Sequence, residues 1–407
     1  MALKGREYLR NQLTLKRSRV LLRYKYYEMK NGLKYSRTLI PAEFMWMILP
    51  LGWCSKAVDS LADRLSFREF RDDNFDLNSI FAMNNRDILP DSAMLSALIG
   101  SCCFVYISED IDGYPRLQVI DGSNATGDPD PITGMLKEGY AVLSRDKNGN
   151  PELEAYFVPG RTEYYQGNRL IRTDPNQAPY PLLVPIIYRP DAVRPFGHSR
   201  VSRACMELMG AARRTLLRSE VCAEFYSFPQ KYITGLSQDA EELDNWKATI
   251  ASILTFTKDD EGQSPHLGQF TQQSMAPVTE QLRTIASLFA GETGLTLDDL
   301  GFVTDNPSSV EAIKASHENL RLAARKAQKT FGSGFLNVGF LAACVRDQYE
   351  YRRQQFYLTK PAWDPVFEPD AAMLSGIGDG IGKINQAIPG YIGPNAMRDL
   401  TGIAPET

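Results

Sequence analysis

Residues 199–226 read SRVSRACMELMGAARRTLLRSEVCAEFY. Val201, Cys205, Leu208, Ala212 and Leu216 recur three or four residues apart, which places them on one face of a helix. Arg200, Arg203, Glu207, Arg214 and Arg218 fall on the opposite face. A helix over this span is about 42 Å long, well beyond the usual helix of a globular domain. Phe228-Pro229 ends it, because proline lacks the amide proton that a helix interior needs.

The chain before this helix has a different period. The spacing of Trp53, Val58, Leu61, Ala62 and Leu65 predicts one helix and Met94 to Leu98 another. Ser101 to Ser108 is β-like, and Tyr114–Ile120, Tyr140–Ser144, Leu153–Phe157, Glu163–Tyr165 and Leu170–Arg172 read as short strands. Asp112-Gly113, Asp146 to Asn150 and Gln166-Gly167-Asn168 are the turns between them. An antiparallel sheet packed on helices, an α+β fold, is the natural arrangement.

After the long helix comes a small module: strand Lys231–Thr234, helix Gln238–Ser252, strand Ile253–Thr257, turn Lys258–Gly262 and strand Leu267–Phe270. A helix from Val278 to Phe289 follows, then a loop of mixed apolar and acidic residues from Gly291 to Pro307. Ser308 and Glu311 form a capping box for the next helix, on which Arg321, Arg325 and Lys329 lie four apart as a basic ridge. Asp370 to Ile403 reads as two short helices divided by Pro389-Gly390.

The chain's 407 residues suffice for two or three domains, and 43% hydrophobic with 23% charged residues excludes wholesale disorder. Six cysteines in apolar or helical surroundings read as reduced, buried thiols rather than a disulfide framework. The longest apolar run, Phe44 to Cys54, is interrupted by Pro50 and Gly52 and falls short of the roughly 20 residues of a membrane span. The basic N-terminus has no apolar core of the kind a signal peptide carries. Charge is uneven: residues 1–40 hold eleven basic side chains against Glu7 and Glu28, a net of +9, which leaves −13 for the rest of a chain totalling −4. That segment reads as a basic amphipathic helix that contacts a partner or nucleic acid, or as a solvated arm.

Catalytic residue types are sparse. His198, His266 and His317 are far apart in sequence, and adjacent Cys102-Cys103 lack the spacing of a zinc pair. No phosphate-binding glycine loop with a following Lys and Ser or Thr is present. The run from Gly376 to Gly382 superficially resembles a dinucleotide fingerprint, but Ile377, Ile381, Ile384 and Ile388 recur at helical spacing and no strand precedes it. No cofactor and no metal site is expected.

Several strings in order resemble the portal proteins of tailed bacteriophages, the siphovirus kind above all. They are Tyr26-Tyr27…Gly32, Pro185-Ile186-Ile187-Tyr188-Arg189-Pro190 running into Gly197-His198-Ser199-Arg200-Val201, and Glu224-Phe225-Tyr226-Ser227-Phe228-Pro229-Gln230-Lys231-Tyr232-Ile233-Thr234-Gly235. Leu300-Gly301…Asn306-Pro307-Ser308-Ser309-Val310-Glu311-Ala312-Ile313 and Gly378-Asp379-Gly380-Ile381-Gly382-Lys383-Ile384…Ala387-Ile388-Pro389 complete the set. The resemblance implies a ring, usually of twelve copies, at one capsid vertex. It divides the chain into a basic N-terminal arm (1–25), an α/β wing (26–198), a stem helix (199–226), a small α/β clip (227–274) and a second stem helix (275–292). A tunnel loop (293–308), a long wing helix (309–345) and a short helical crown (346–407) follow.

The resemblance implies that Leu295, Leu297, Asp298, Asp299, Leu300, Phe302, Asp305 and Asn306 line the DNA channel. Arg203, Glu207, Arg214 and Arg218 would meet the neighbouring subunit, and Trp246, Lys258, Asp259 and Asp260 the terminase or adaptor. The implied partners are further copies of the chain, double-stranded DNA, terminase, major capsid protein, scaffold and head-to-tail adaptor, with no membrane. In such a ring the arms would form a basic belt. The implied location is the virion's portal vertex, and the host cytoplasm during assembly. Two other readings compete: a metal-dependent nucleic-acid-processing enzyme that holds a divalent ion on Asp298, Asp299 and Asp305, and a capsid adaptor protein.

Overall fold

A computed structural model describes residues 3–33, 40, 42–227, 231–234, 266–269, 274–302, 315–367, 369 and 371–403. Helix and sheet are mixed, as the sequence periods require. The first half runs α1 (Arg6–Tyr27), α2 (Trp53–Ala62), β1 (Phe67–Arg71), α3 (Leu77–Ala82) and α4 (Leu89–Gly100). Eight strands then follow in succession: β2 (Cys102–Glu109), β3 (Pro115–Asp121), β4 (Ala125–Pro129), β5 (Leu136–Arg145), β6 (Pro151–Val158), β7 (Arg161–Gln166), β8 (Arg169–Pro175) and β9 (Leu183–Ile187). The second half holds α5 (Arg203–Ser227), β10 (Lys231–Thr234), β11 (His266–Gln269), α6 (Ala276–Thr293), α7 (Glu318–Arg346), β12 (Lys360–Trp363), α8 (Ala371–Ala387) and α9 (Pro394–Thr401).

β4 to β8 form a five-stranded antiparallel meander in sequence order. β3, β2 and β9 form a second antiparallel sheet with β2 at its centre. Cys102 to Ile107 are buried at six successive positions, the mark of a strand covered on both faces. β9 is an edge strand, which accommodates Pro185 and its missing amide proton. The hydroxyls of Tyr106 and Tyr164, 2.7 Å apart, join the two sheets.

α7 is the spine. From Phe331 to Val345 nearly every side chain is buried. Helices so apolar all round belong in a core. Its glycines mark where neighbours press closest: a Cβ on Gly332 would lie 2.6 Å from Pro361 Cγ, on Gly334 2.7 Å from Ile186 Cδ1, and on Gly339 2.7 Å from Leu77 Cδ1. The ribbon β1–β12, β9 and α3 therefore all seat directly on the helix backbone. Phe67, Phe70, Phe81, Phe335 and Trp363 fill the layer between, their ring centroids 5.1 to 6.3 Å apart.

The basic N-terminal segment is docked, which corrects its reading as a solvated arm; α1 also crosses the expected 25/26 boundary. Leu9 and Leu13 pack with Tyr140, Val142, Tyr156 and Val158 of β5 and β6. Beneath them lie two carboxylates, Glu138 and Glu154, each 0% exposed. Glu138 accepts the amide protons of Lys4 and Gly5 at 2.8 and 3.0 Å, at the start of α1 where the helix dipole favours negative charge. It also accepts Tyr156 OH at 2.7 Å.

Glu154 lies 3.3 Å from Arg6 and 3.2 Å from Arg10, and it accepts the hydroxyl of Tyr140. Burial, and then these hydrogen bonds to carboxylates, push both tyrosines well above their ordinary range. Farther along α1, Arg23 donates to Gly100 O at 2.8 Å and Tyr27 OH to Asp59 at 2.8 Å, so the helix straps the meander to α4 and α2.

All six cysteines are free, and five are fully buried, with Cys222 half-buried. The sequence also missed β1, β4, β9 and β12, whereas its two C-terminal helices match α8 and α9. Two expectations about stability follow. Gly332→Val, which drives a branched side chain into the Pro361 ring, is expected to cost about 1–3 kcal/mol, measured by urea unfolding. Removing both Arg6 and Arg10 leaves Glu154 buried without a cation and is expected to cost about 3–5 kcal/mol. A loss under about 1 kcal/mol in the same titration would show that α1 is not anchored through that carboxylate.

Candidate functional site

α5 and α6 pack along one another. Met209 and Ala212 of α5, and Ile285, Ala286 and Phe289 of α6, are buried, and Phe289 meets Trp53 of α2 at 5.5 Å. The buried stripe on α5 is Cys205, Met209, Ala212, Arg213, Thr215 and Leu217, with Leu208 and Leu216 only half-buried. Arg213 is the residue the sequence missed. Only 7% exposed, it donates to Asn31 O at 2.8 Å and to Leu49 O at 3.3 Å, holding the chain before α2 against the stem. Arg200, expected on the charged face, sits at the root. It donates from Nε to Ala57 O at 3.0 Å and from its guanidinium to Thr293 O, tying the start of α5 to α2 and to the end of α6.

The rest of the charged face is as the period predicts. Arg203, Glu207 and Arg218 are exposed and Arg214 is half-buried. None of the four makes an ion pair or hydrogen bond with another described residue. A helix face of mixed charge with no partner among the described residues can pair with another surface.

α6 ends at Gly294, whose φ of 70° is the left-handed cap that stops the helix. The turn beyond it is rooted in the core. Leu295 and Leu300 are 6% and 8% exposed, Leu297 packs against the same cluster, and Phe302 meets Trp53 edge-on at 6.5 Å. These four side chains, read from the sequence as lining a channel, thus face the interior of their own chain.

Asp299 closes the turn. Its Oδ2 accepts from both Thr296 N and Thr296 Oγ1 at 2.9 Å, and its own amide donates back to Thr296 Oγ1 at 3.2 Å. Its carboxylate is thereby engaged within the turn, and Asp298 is left as the exposed acid. No group of three or more potential metal ligands occurs among the described residues. Asp305, Asn306, Trp246, Lys258, Asp259 and Asp260, and the Pro307, Ser308, Glu311 cap, lie outside the described residues. Among the described residues no helix is long and apolar enough to cross a membrane.

The site is thus a helix pair with a charged outer face and an acidic turn rooted in the core. The chain is 26% identical over 340 residues to a portal protein of Mycobacterium phage L5, covering 76% of this chain and 68% of that one. It is likewise 26% identical over 335 residues to the portal protein of Mycobacterium phage D29, at 76% and 68% coverage. The resemblance carried by the short strings is borne out: the chain is similar to phage portal proteins. No family model matches it. Among solved structures, a chain from the neck of a native gene transfer agent particle is similar at 13% identity and a TM-score of 0.45, covering 90% of this chain and 95% of that one.

The free face of α5 generates a specific expectation. Arg203→Glu with Arg218→Glu removes no side-chain hydrogen bond or ion pair among the described residues and is expected to change the unfolding free energy by less than about 0.5 kcal/mol. Calorimetry of the dissociated chain checks this, and a larger loss would place the two guanidinium groups in a contact of their own subunit.

Proposed function

We propose that the chain is a portal subunit with a structural, non-catalytic role: copies close into a ring, of twelve on the family pattern, around a channel for double-stranded DNA at one capsid vertex. The relation to phage portal proteins carries this reading. On that pattern α5 and α6 are the stem, the two sheets with α1 to α4 and α7 the wing, β10 and β11 part of the clip, and α8 with α9 a short crown. Terminase and then the head-to-tail adaptor would dock at the clip, and coat and scaffold at the wing.

Physical chemistry supports it. A conduit must pass a polymer bearing one negative charge per about 1.7 Å without gripping it. Residues 295–306 contain three acids and no Lys or Arg. Asp298 on the described part of that turn, and Asp305 and Asn306 beyond it, would face the duplex, while the leucines and Phe302 hold the turn's root. Arg203, Glu207, Arg214 and Arg218 would pair with the next subunit's stem, both signs being present on the one face.

Purified full-length protein is expected to show rings with a central hole by negative-stain electron microscopy. Arg214→Glu with Arg218→Glu is expected to reduce their yield. Intact rings in that variant would remove the stem face from the subunit contact, and metal-dependent cleavage of DNA by a small particle would overturn the portal reading itself.

A further inference from the structure

Two surfaces away from α5 and the turn carry charged side chains that mostly lack partners among the described residues, and each mirrors the other. On α7, Leu322, Arg325, Lys326 and Lys329 lie at i, i+3, i+4 and i+7 and are all exposed, with Leu322 at 46%. They border a hollow floored by Trp363. Arg321, the other basic residue of the expected ridge, is already held by Glu318 through two hydrogen bonds of 2.7 and 2.6 Å. Arg325, Lys326 and Lys329 have no hydrogen bond or ion pair among the described residues.

The second surface is a mainly apolar groove of about 430 Å³ between the end of α2 and the start of α4. Leu95 lies within it and Ile88, 67% exposed, stands at its rim. Asp59, Asp63, Asp87 and Asp91 surround it. Asp59 accepts Tyr27 OH, and the other three have no hydrogen bond or ion pair among the described residues. Crowding is evident: partial burial in the groove, then Asp87 beside it, pushes the Asp91 carboxyl above its ordinary range.

We propose that the α2–α4 groove of one copy receives the α7 face of the next, with Leu322 against the apolar floor and Arg325, Lys326 and Lys329 among the four aspartates. A second copy is the occupant that charge complementarity favours, because the same chain carries both halves of the match: an apolar centre flanked by cations and an apolar centre ringed by carboxylates. Each half alone places like charges together, which a free surface tolerates but gains nothing from. A contact between two different patches is also the kind that builds rings rather than closed dimers. The inference rests on the ring reading and adds to it a second contact outside the stem.

The test is charge reversal in the full chain, with assembly read by sedimentation and electron microscopy. Asp87→Lys with Asp91→Lys, and separately Arg325→Glu with Lys329→Glu, are each expected to cut the fraction in rings at least tenfold, with unchanged circular dichroism showing that the fold is intact. All four changes in one chain are expected to restore assembly. Mixing the two reversed chains in equal amounts is expected to restore it as well, since each supplies the partner the other needs.

Rings at the original yield in either reversed chain would overturn the contact while leaving the portal reading standing. Rescue by the fourfold variant without rescue by mixing would assign the pairing to the interior of one chain, and overturn it too. Wild-type protein that forms no ring would instead overturn the reading on which it rests.

Discussion

The C-terminal half of α7 is the element on which everything else is seated. A helix buried on every side must let its neighbours approach on every side, and Gly332, Gly334 and Gly339 make that possible toward the ribbon, β9 and α3. Through β9 the spine reaches the central sheet, whose β2 bears α4. Through the ribbon it reaches the C-terminal helices, where Arg398 pairs with Glu69 at 2.9 Å and Arg68 donates to Gly402 O at 2.8 Å. α5 attaches to this body at Arg200 and Arg213, both of which donate to backbone carbonyls. Such bonds fix the helix's direction with few options for slippage.

Charge is the second organising quantity. The +9 of residues 1–40 suggests a free basic surface, yet several of those side chains have partners inside the chain. Arg6 and Arg10 neutralise Glu154, Arg6 also stacks on Tyr165 at 4.0 Å, Lys4 pairs with Asp128 at 2.7 Å, and Arg23 caps α4. Burying a carboxylate alone would cost several kcal/mol. The basic helix and the buried acids are therefore one feature, and neither is explicable without the other. A basic belt for a partner is reduced to exposed residues such as Arg19 and Lys25.

What the sequence made legible follows from which residues have local reasons. The hairpins β2–β3, β5–β6 and β7–β8 were readable because Asp112-Gly113, Asp146–Asn150 and Gly167 are local turn signals between their strands. α5 was readable from its period. β1 and β12 were not, because Phe67–Arg71 and Lys360–Trp363 are short and pair across nearly three hundred residues. Glu138 and Glu154 did leave a trace: each is an acid flush against apolar strand residues, Tyr140 to Val142 and Ala155 to Val158. A carboxylate in that setting requires a cation or helix terminus from elsewhere, but no local rule says that it comes from α1. The turn after α6 is rooted inward for a reason that its local sequence does not carry. Its leucines are surrounded by acids and glycines, and only the fold brings Trp53 beneath them.

On the portal reading proposed above, that inward rooting bears on how a DNA channel built from this chain would work. If Leu295, Leu300 and Phe302 pointed at the duplex, the constriction would be soft and adhesive, made of side chains free to rearrange. With those groups anchored on Trp53 and the core cluster, the root of the turn is rigid, and Asp299 locks it further through Thr296. What remains to meet a passing polyanion is then Asp298 and the residues after Phe302, where the sequence carries Asp305 and no base. Repulsion from a rigid acidic rim favours passage without adhesion, since a phosphate gains no ion pair by stopping there. On the portal reading, rooting the apolar residues inward and leaving Asp298 exposed would serve one end, a turn that defines an opening without holding what moves through it.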